Sequence, residues 1–483
     1  MTSLSGDASN RDGAHEDRSR MDKIVALSKR RGFVFPSSEI YGGMANTYDY
    51  GPLGVELKKN IIDAWWQFFV RSRADMVGLD SSIILNPKVW EVSGHVAGLT
   101  DTMIDCKSCK MRTRADHLIE NFFESKGETT KVEGKTEAEL DDIIRSNKIV
   151  CPQCGKFEWT AVRKFNLLFE TSVGIVPEDQ SKVYLRGETA QGIFISFKNI
   201  IDSTRIKLPF GGGQVGKSFR NEITKGNFIY RTLEFEQGEI EYFFDPEAQD
   251  WEKLFADWKA RMWAFVTGVL GIETAHLRWR EHDDNERSFY SKRTEDLEYL
   301  FPFGFKELWG IAYRGDYDLS QHMKHSGADL QYVDSATGRK FIPHVIEPAV
   351  GITRLLAMTM LEAYREEGEG DDRRVYLAIP PAIAPYKVAV FPLLKNKPEL
   401  IAKAEEVFGM LKKKFMCCWD DRGNIGKRYY SQDEIGTPFC VTVDFDSLQD
   451  GAVTVRERDT MTQERVAITD LEKYFAEKLN TID

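Results

Sequence analysis

The sequence predicts an α+β chain of more than one domain, on three observations: a charge-rich β-hairpin between Ser218 and Phe244, amphipathic helices before and after it, and a change of pattern beyond the acidic, glycine-containing run Glu366 to Arg374. The hairpin is the most informative. Phe219-Arg220-Asn221-Glu222 reads as one strand, Lys225-Gly226-Asn227 as the turn, and Tyr230-Arg231-Thr232-Leu233-Glu234-Phe235-Glu236 as the return strand. An arginine and a carboxylate facing aromatics and further carboxylates are groups that can hold a triphosphate, an aromatic base and an amino group side by side.

The flanking elements follow from periodicity. Leu53, Leu57, Ile61, Trp65, Phe68 and Phe69 recur at helical spacing, which predicts an amphipathic helix of about five turns. Residues 78–87 read as a strand closed by Pro87. A second helix, from about Trp251 to Leu270, places Leu254, Phe255, Trp258, Met262, Phe265 and Val266 on one face and stops at Gly271. After the acidic run, strand-like Val388 to Phe391, a lysine-rich helix near Pro398 to Phe415 and strand-like Phe439 to Phe445 alternate as in a small α/β domain. The expected organisation is a disordered tail over residues 1–20, a main domain over 21–370 and a C-terminal domain over 375–483.

Composition narrows the class. A chain of 483 residues is long enough for two or three cores of its own. No apolar run approaches the roughly 18 residues of a membrane helix, and the polar first twenty residues lack the apolar segment of a secretory signal, so a cytoplasmic location is expected. A net charge of −11 argues against a general nucleic-acid binder, although a local basic face remains open.

Seven cysteines, an odd number, argue for a reducing compartment over a disulfide framework. Cys106-x-x-Cys109 and Cys151-Pro-Gln-Cys154 are two knuckles with the spacing of a structural four-thiolate zinc site, in an insertion over about 105–160. Between them Thr136-x-x-Glu139 reads as a capping box before a helix. Reduced thiols without metal are the bland alternative, and buried structural cysteines are expected at Cys417, Cys418 and Cys440.

Gly211 to Ser218 satisfies the GxxxxGK[ST] pattern of a phosphate-binding loop, which needs a buried strand before it and a helix after it. Here Leu208-Pro209-Phe210 makes a poor buried strand and Ser218 to Ile223 reads as a strand. The pattern is therefore read as fortuitous.

From Met21 to the C-terminus the sequence resembles the homodimeric class II glycyl-tRNA synthetases. The resemblance rests on Arg31-Gly32-Phe33-Val34-Phe35-Pro36, Tyr41-Gly42-Gly43, Tyr48-Asp49-Tyr50-Gly51-Pro52-Leu53-Gly54, Arg186-Gly187-Glu188-Thr189-Ala190-Gln191-Gly192 and the hairpin. The helix from Gly54 and the segment ending at Pro87 resemble the family's motif 1, at the dimer interface. Phe219 to Glu222 with Tyr230 to Glu239 resembles motif 2, and Glu347-Pro348-Ala349-Val350-Gly351-Ile352-Thr353-Arg354 resembles motif 3. The resemblance implies an antiparallel catalytic sheet flanked by helices, a zinc-knuckle insertion and a C-terminal anticodon-binding domain, in a ligase that uses ATP with Mg²⁺ to activate glycine and passes it to the 3′-terminal adenosine of tRNA(Gly).

What the resemblance implies residue by residue follows the charges. Carboxylate and ATP are both anions, so neutralisation and positioning carry the chemistry. Arg220 is expected on the α-phosphate, Arg354 on the γ-phosphate, and Glu222 with them as a catalytic group. Phe235 is expected to stack on adenine, whose edge is fixed near Tyr230 and Glu222, and the ATP site is expected to include Asn221, Arg231, Thr232, Leu233, Glu234, Glu307, Leu308, Gly351, Ile352 and Thr353. The amino-acid site is expected to draw on Arg114, Glu188, Phe235, Glu236, Gln237, Gly238, Glu239, Glu347, Pro348, Ala349, Val350 and Gly351, with Glu188, Glu239 and Glu347 around the ammonium. Arg314 is expected nearby. Ala349 stands where the family often has serine, and Tyr313 where an acidic residue is more usual. Lys427, Arg428 and Arg422 are expected to meet RNA phosphates, and Tyr429 or Tyr430 to stack on an unpaired base.

Two alternatives stay open at this level. A noncatalytic nucleic-acid-binding relative would have lost the phosphate arginines, whereas Arg220 and Arg354 are both present. An enzyme that loads a carrier protein would lack the segment after Val375.

Overall fold

In the computed structural model, residues 9–479 are described apart from 129, 131, 133, 176–180, 223–226, 285, 286, 288, 289, 371 and 372. A helix α1 (Ser9–Arg31) opens the chain and buries Ile24 and Leu27 in the main core. The tail expected over residues 1–20 is thus helical from Ser9 onward, because the helix anchored by those two side chains continues toward the N-terminus; residues 1–8 lie outside the described part.

The centre is a seven-stranded sheet built from β1 (Met76–Gly78), β2 (Phe210–Phe219), β3 (Glu234–Phe244), β4 (Leu277–Glu281), β5 (Arg293–Phe301), β6 (Gly304–Gly315) and β7 (His344–Gly351). Its order is β4-β5-β6-β7-β3-β2-β1, antiparallel except where β1 runs parallel to β2. On one face lie α2 (Pro52–Trp66), α3 (Trp251–Ala264) and α4 (Ile352–Ala363). Helix α2 starts with Pro52 in its first turn, where the missing N–H costs nothing, and runs into a π-turn at Gln67–Arg71. Helix α3 is capped by the Asp250 carboxylate, which accepts from the N–H groups of Glu252 and Lys253, and also ends in a π-turn, Phe265–Val269. The two π-turns meet: Phe69 packs on Phe265 and on Trp309 of β6, each at 5.3 Å between centroids. Short helices at 190–195, 197–204 and 317–326 cover the other face through Ile193, Phe194, Phe197 and Leu319.

The hairpin is longer than the sequence suggests. Strand β2 ends at Phe219, paired with Glu234, so Arg220 to Leu233 form the connection, with a short 3-10 turn at Phe228–Tyr230. Arg220 N–H still bonds Leu233 O, but Asn221 N–H turns away to Leu167 O at 2.8 Å, which draws the chain out of the sheet. Of the expected turn, Lys225 and Gly226 lie outside the described residues.

The glycine run is itself part of β2, as its rejection as a phosphate loop requires. A Cβ at Gly211 would come within 2.4 Å of the Met76 sulfur, one at Gly212 within 2.8 Å of Ile193, and one at Gly213 within 2.9 Å of Val70. The strand is squeezed on both faces, and only glycine fits. The strand expected over 78–87 is shorter, Met76–Gly78, and Pro87 instead starts a helix that Asn86 caps through Lys88 N–H.

The insertion has a three-stranded sheet (100–105, 112–114, 163–166), the helices Ala115–Glu124 and Glu137–Ser146, and a hydrophobic cluster of its own around Ile119, Leu140, Ile144 and Trp159. The capping box forms as read: Thr136 Oγ accepts from Glu139 N–H and the Glu139 carboxylate accepts from Thr136 N–H. The acidic run after α4 is a hairpin, Tyr364–Glu367 paired with Arg374–Leu377, and Leu377, Ile379, Ile383 and Ala384 still belong to the main core. The break in packing therefore falls near Val388, later in the chain than the acidic run indicates. Beyond it, parallel strands Cys417–Trp419, Val388–Pro392 and Phe439–Val443 continue into antiparallel Ala452–Glu457 and Gln463–Ala467, with the helix Pro398–Leu411 against them.

Candidate active site

Strands β3, β6 and β7 together floor a cavity of about 190 Å³, and the connection before β3 and the first turn of α4 wall it. Period two on β3 sends Phe235, Gln237, Glu239 and Glu241 to one face of the sheet. Glu347, Ala349 and Gly351 come from β7, and Glu307 and Gly310 from β6. Arg220, Glu222, Tyr230, Arg231 and Thr232 come from the connection, Thr353 and Arg354 from α4, and Glu188 from the segment before the helix at 190–195.

Most expected site residues thus line one cavity. Others support it from behind: Leu308 and Ile352 are core side chains, and Gly238 lets Trp65 approach, since a Cβ there would sit 3.1 Å from the indole. Glu236 points to α2, where it pairs with Lys58 at 2.7 Å, and Glu234 pairs with Lys217 at 2.8 Å. Asn221, Leu233 and Pro348 do not line the cavity. Nor does Arg114, whose guanidinium is taken up by Asp101 at 2.9 Å and by both oxygens of Asp116.

At the deep end the side chains are acids. Glu239, fully buried, accepts from Thr189 N–H at 3.0 Å, from the Thr189 hydroxyl and from Gln237 Nε2 at 3.0 Å. Glu188 lies 3.1 Å from His95 Nε2, whose Nδ1 is 2.8 Å from the Ser93 hydroxyl. Glu347 accepts from Arg314 Nη1 at 2.8 Å, and Arg314 in turn grips Asp318 with two parallel bonds of 2.8 and 2.9 Å. Burial, then the neighbouring Glu347 and Glu188 carboxylates, push the Glu239 carboxyl well above the usual range. Burial also raises Glu347, against the pull of Arg314. Burial acts in the same sense on Glu188, but His95, Arg314 and Arg220 outweigh it and hold that carboxyl below its ordinary value.

The outer end carries the arginines. Arg220 Nε donates to Gly187 O at 3.0 Å, and its guanidinium stands 5.6 Å from the Phe235 ring. Arg354 lies over the Tyr230 ring at 4.7 Å and pairs with Glu307 at 2.9 Å. An anion at this end meets planar donors, and a cation at the other meets carboxylates. His95, Tyr290, Asp318 and Glu241 escaped the sequence reading. Glu241 had a signal, the two-residue period from Glu239; Tyr290, which stacks its ring 3.9 Å from the Arg314 guanidinium, had none.

The four knuckle cysteines converge. Cys106 and Cys154 sulfurs are 3.7 Å apart, Cys109 and Cys151 3.6 Å, and all four lie within 4.8 Å of one another. Zinc–sulfur bonds of about 2.3 Å in a tetrahedron put sulfurs about 3.8 Å apart, so the donor set fits zinc. The two knuckles repeat each other: Cys106 N–H bonds Met111 O and Cys151 N–H bonds Lys156 O, with left-handed Lys110 and Gly155 at matching places.

The C-terminal basics divide. Arg428 is buried and donates to the carbonyls of Pro392, Asp421, Arg422 and Gly423, so it holds the fold together rather than facing RNA. Tyr429 bonds Thr442 at 2.6 Å and is also turned inward, whereas Tyr430 and Arg422 are exposed.

An antiparallel sheet with arginines from a hairpin connection and from the helix after its last strand defines the core of a class II aminoacyl-tRNA synthetase. A profile described as the tRNA synthetase class II core domain (G, H, P, S and T) matches residues 169–364, one described as an anticodon binding domain matches 387–478, and one described as glycyl-tRNA synthetase insertion domain 1 matches 128–167. The chain belongs to the glycine–tRNA ligase family. It is 53% identical to the glycine–tRNA ligase of Caldanaerobacter subterraneus subsp. tengcongensis over 95% of this chain and 98% of that one, and 52% identical to that of Clostridium beijerinckii over the same shares. The Clostridium acetobutylicum protein of the same name is 51% identical over 96% of this chain and all of its own.

Proposed function

We propose that this chain is an ATP-dependent ligase that makes glycyl adenylate and then esterifies the terminal adenosine of tRNA(Gly). The observation that carries this reading is the polarity of the cavity, with the carboxylates of Glu188, Glu239 and Glu347 at its sealed end and Arg220, Arg231 and Arg354 toward its mouth. Glu188, Glu239 and Glu347 take the ammonium, and an amino acid without a side chain suits this small acid-lined end. The amino-acid carboxylate then points at Arg220, which draws the α-phosphate toward it. One carboxylate oxygen forms a bond to the α-phosphorus as the bond to the pyrophosphate oxygen breaks, and Arg354 neutralises the departing charge. In the second step the ribose hydroxyl attacks the adenylate carbonyl, and AMP leaves.

Phe235 stacks on adenine, and Tyr230 OH, which donates to Glu307 O at 3.1 Å, keeps the adjoining wall in place. Glu222 and Glu307 offer hard oxygens at the arginine end that could hold a magnesium ion entering with the nucleotide, although Glu222 Oε2 lies 3.7 Å from Arg231 and Glu307 pairs with Arg354. Magnesium would supply further neutralisation of the phosphates. Zinc in the four-thiolate cluster would tie the two halves of the insertion together.

Arg422, Lys427 and Tyr430 are the surface groups for the anticodon. Two copies pair through the region of α2 and β1, and the free state of all seven thiols suits a reducing, cytoplasmic setting. ATP–pyrophosphate exchange with each of the twenty amino acids, without tRNA, tests the proposal: exchange with glycine alone is expected. No exchange from a folded protein would move the reading to a binding module.

A further inference from the structure

Glu241 is a buried acid behind the cavity floor, next to the lining residues Glu239 and Glu347, that the reaction leaves unused. It lies on β3 two residues beyond Glu239, wholly inaccessible to solvent, and among the described residues neither carboxyl oxygen has a hydrogen-bond donor. Each of its neighbours has a donor of its own: Glu239 has Thr189 and Gln237, Glu347 has Arg314, and Glu188 has His95. Oxygens of Glu239, Glu241 and Glu347 lie within 4.8 Å of one another. An anion in that place, with no donor and two carboxylates beside it, is strongly disfavoured.

We propose that Glu241 is a positioning residue of the amino-acid site: an un-ionised carboxylic acid whose proton is turned toward the Glu347 carboxylate across β3 and β7, steadying that carboxylate for the incoming ammonium. The groups that face it are Glu347, Arg314, Glu239 and Asp318, three acids and one arginine. The arginine is already spent on Asp318 and Glu347. A proton is the remaining positive charge available to Glu241. Burial and the adjacent Glu347 carboxylate raise this carboxyl well above its ordinary value, consistent with that state.

The inference rests on the ammonium reading of the site, and its test has one readout that does not. Infrared difference spectra of the ligand-free enzyme should contain the carbonyl stretch of a protonated acid at neutral pH that disappears in Glu241→Gln; its absence from the wild type overturns the protonation state whatever the substrate proves to be. In glycine-dependent exchange, Glu241→Gln, which keeps a neutral donor, should leave KM for glycine within about threefold, while Glu241→Met should raise it about tenfold with KM for ATP unchanged, the size of one lost buried hydrogen bond. A tenfold rise in both variants would mean that the anion is needed, and no change in either would mean that Glu241 positions nothing. Should Glu241→Met not fold, the infrared band and the Gln variant still decide.

Discussion

The two ends of the cavity are held in opposite ways. The acid end is sealed: Glu239 and Glu241 are inaccessible, Glu188 and Glu347 nearly so, and all but Glu241 have a fixed donor. The arginine end is open, with Arg220 on a connection rather than a strand, and the side chains of Arg354 and Glu307 at 21% and 45% exposure. Charges in a dry, rigid setting interact more strongly and tolerate less misplacement than charges partly in water. On the proposed reading, the sealed end is where the amino group of a small amino acid is held, and the open end is where the bulky polyanion enters.

If that division holds, damage at the two ends should separate in kinetics. Arg220→Ala should give the largest effect, a loss of about 10³-fold in pyrophosphate exchange at saturating substrates with the fold retained, since it removes a donor to charge that develops in the transition state. Exchange at the wild-type rate in this variant would remove Arg220 from its role. Glu239→Gln should act on glycine instead: kcat/KM for glycine falling roughly 30-fold or more, the cost of uncoupling a buried charge pair, with KM for ATP within about threefold. Equal changes in both constants would show that the ends are not independent.

The family resemblance named residues at both ends of the cavity, Glu188, Glu239 and Glu347 as well as Arg220 and Arg354, but local pattern alone reads the arginine end better than the acid end. Arg220 and Arg354 stand in runs of distinctive order, and their roles need only one residue each. The acid floor is an assembly across three strands, the segment before a helix and an ion pair made by Arg314 and Asp318, and no local pattern announces that Glu188, Glu239 and Glu347 share one space. Helices α2 and α3 were readable from their period of apolar side chains, but their closing π-turns were not, because those follow from how Phe69 and Phe265 meet. The glycines of β2 were misleading as a motif for the same reason: Met76, Ile193 and Val70 demand them, from three other places in the chain. Arg428 looked like an RNA contact because charge in a sequence carries no sign of burial.

Away from the cavity, effects on exchange should be small. Cys151→Ser should release zinc and lower the melting temperature of the insertion, whose hydrophobic cluster is separate from the main core, while exchange stays within about threefold. Zinc content equal to that of the wild type would refute the four-thiolate site. In the C-terminal domain Tyr430→Ala should raise KM for tRNA about tenfold, the worth of one stacked base, and leave exchange alone. Arg428→Ala should instead destabilise the domain, by leaving four carbonyls without their donor.

The smallest effect distinguishes the acids from one another. Glu239, Glu241 and Glu347 have folded-state pKa values raised above 4.5, first by burial, so the stability they lend is full below that value and is lost as pH rises through the raised ones. Glu188 is lowered below 4.5 by His95, Arg314 and Arg220 against its own burial, so its contribution is full above that value and is lost only as pH falls below it. Above the ordinary carboxylate range, then, Glu188 should contribute nothing to the slope and the other three should set it. The melting temperature of the ligand-free enzyme is expected to decline by a few degrees as pH rises beyond it, since about 1 kcal/mol shifts a chain of this size by only a few degrees. Glu241→Gln should flatten the decline by removing one of the three, and glycine should flatten it further, because an ammonium among the carboxylates offsets the charge they acquire. A slope that Glu241→Gln leaves unchanged would place the titration on Glu239 and Glu347 alone.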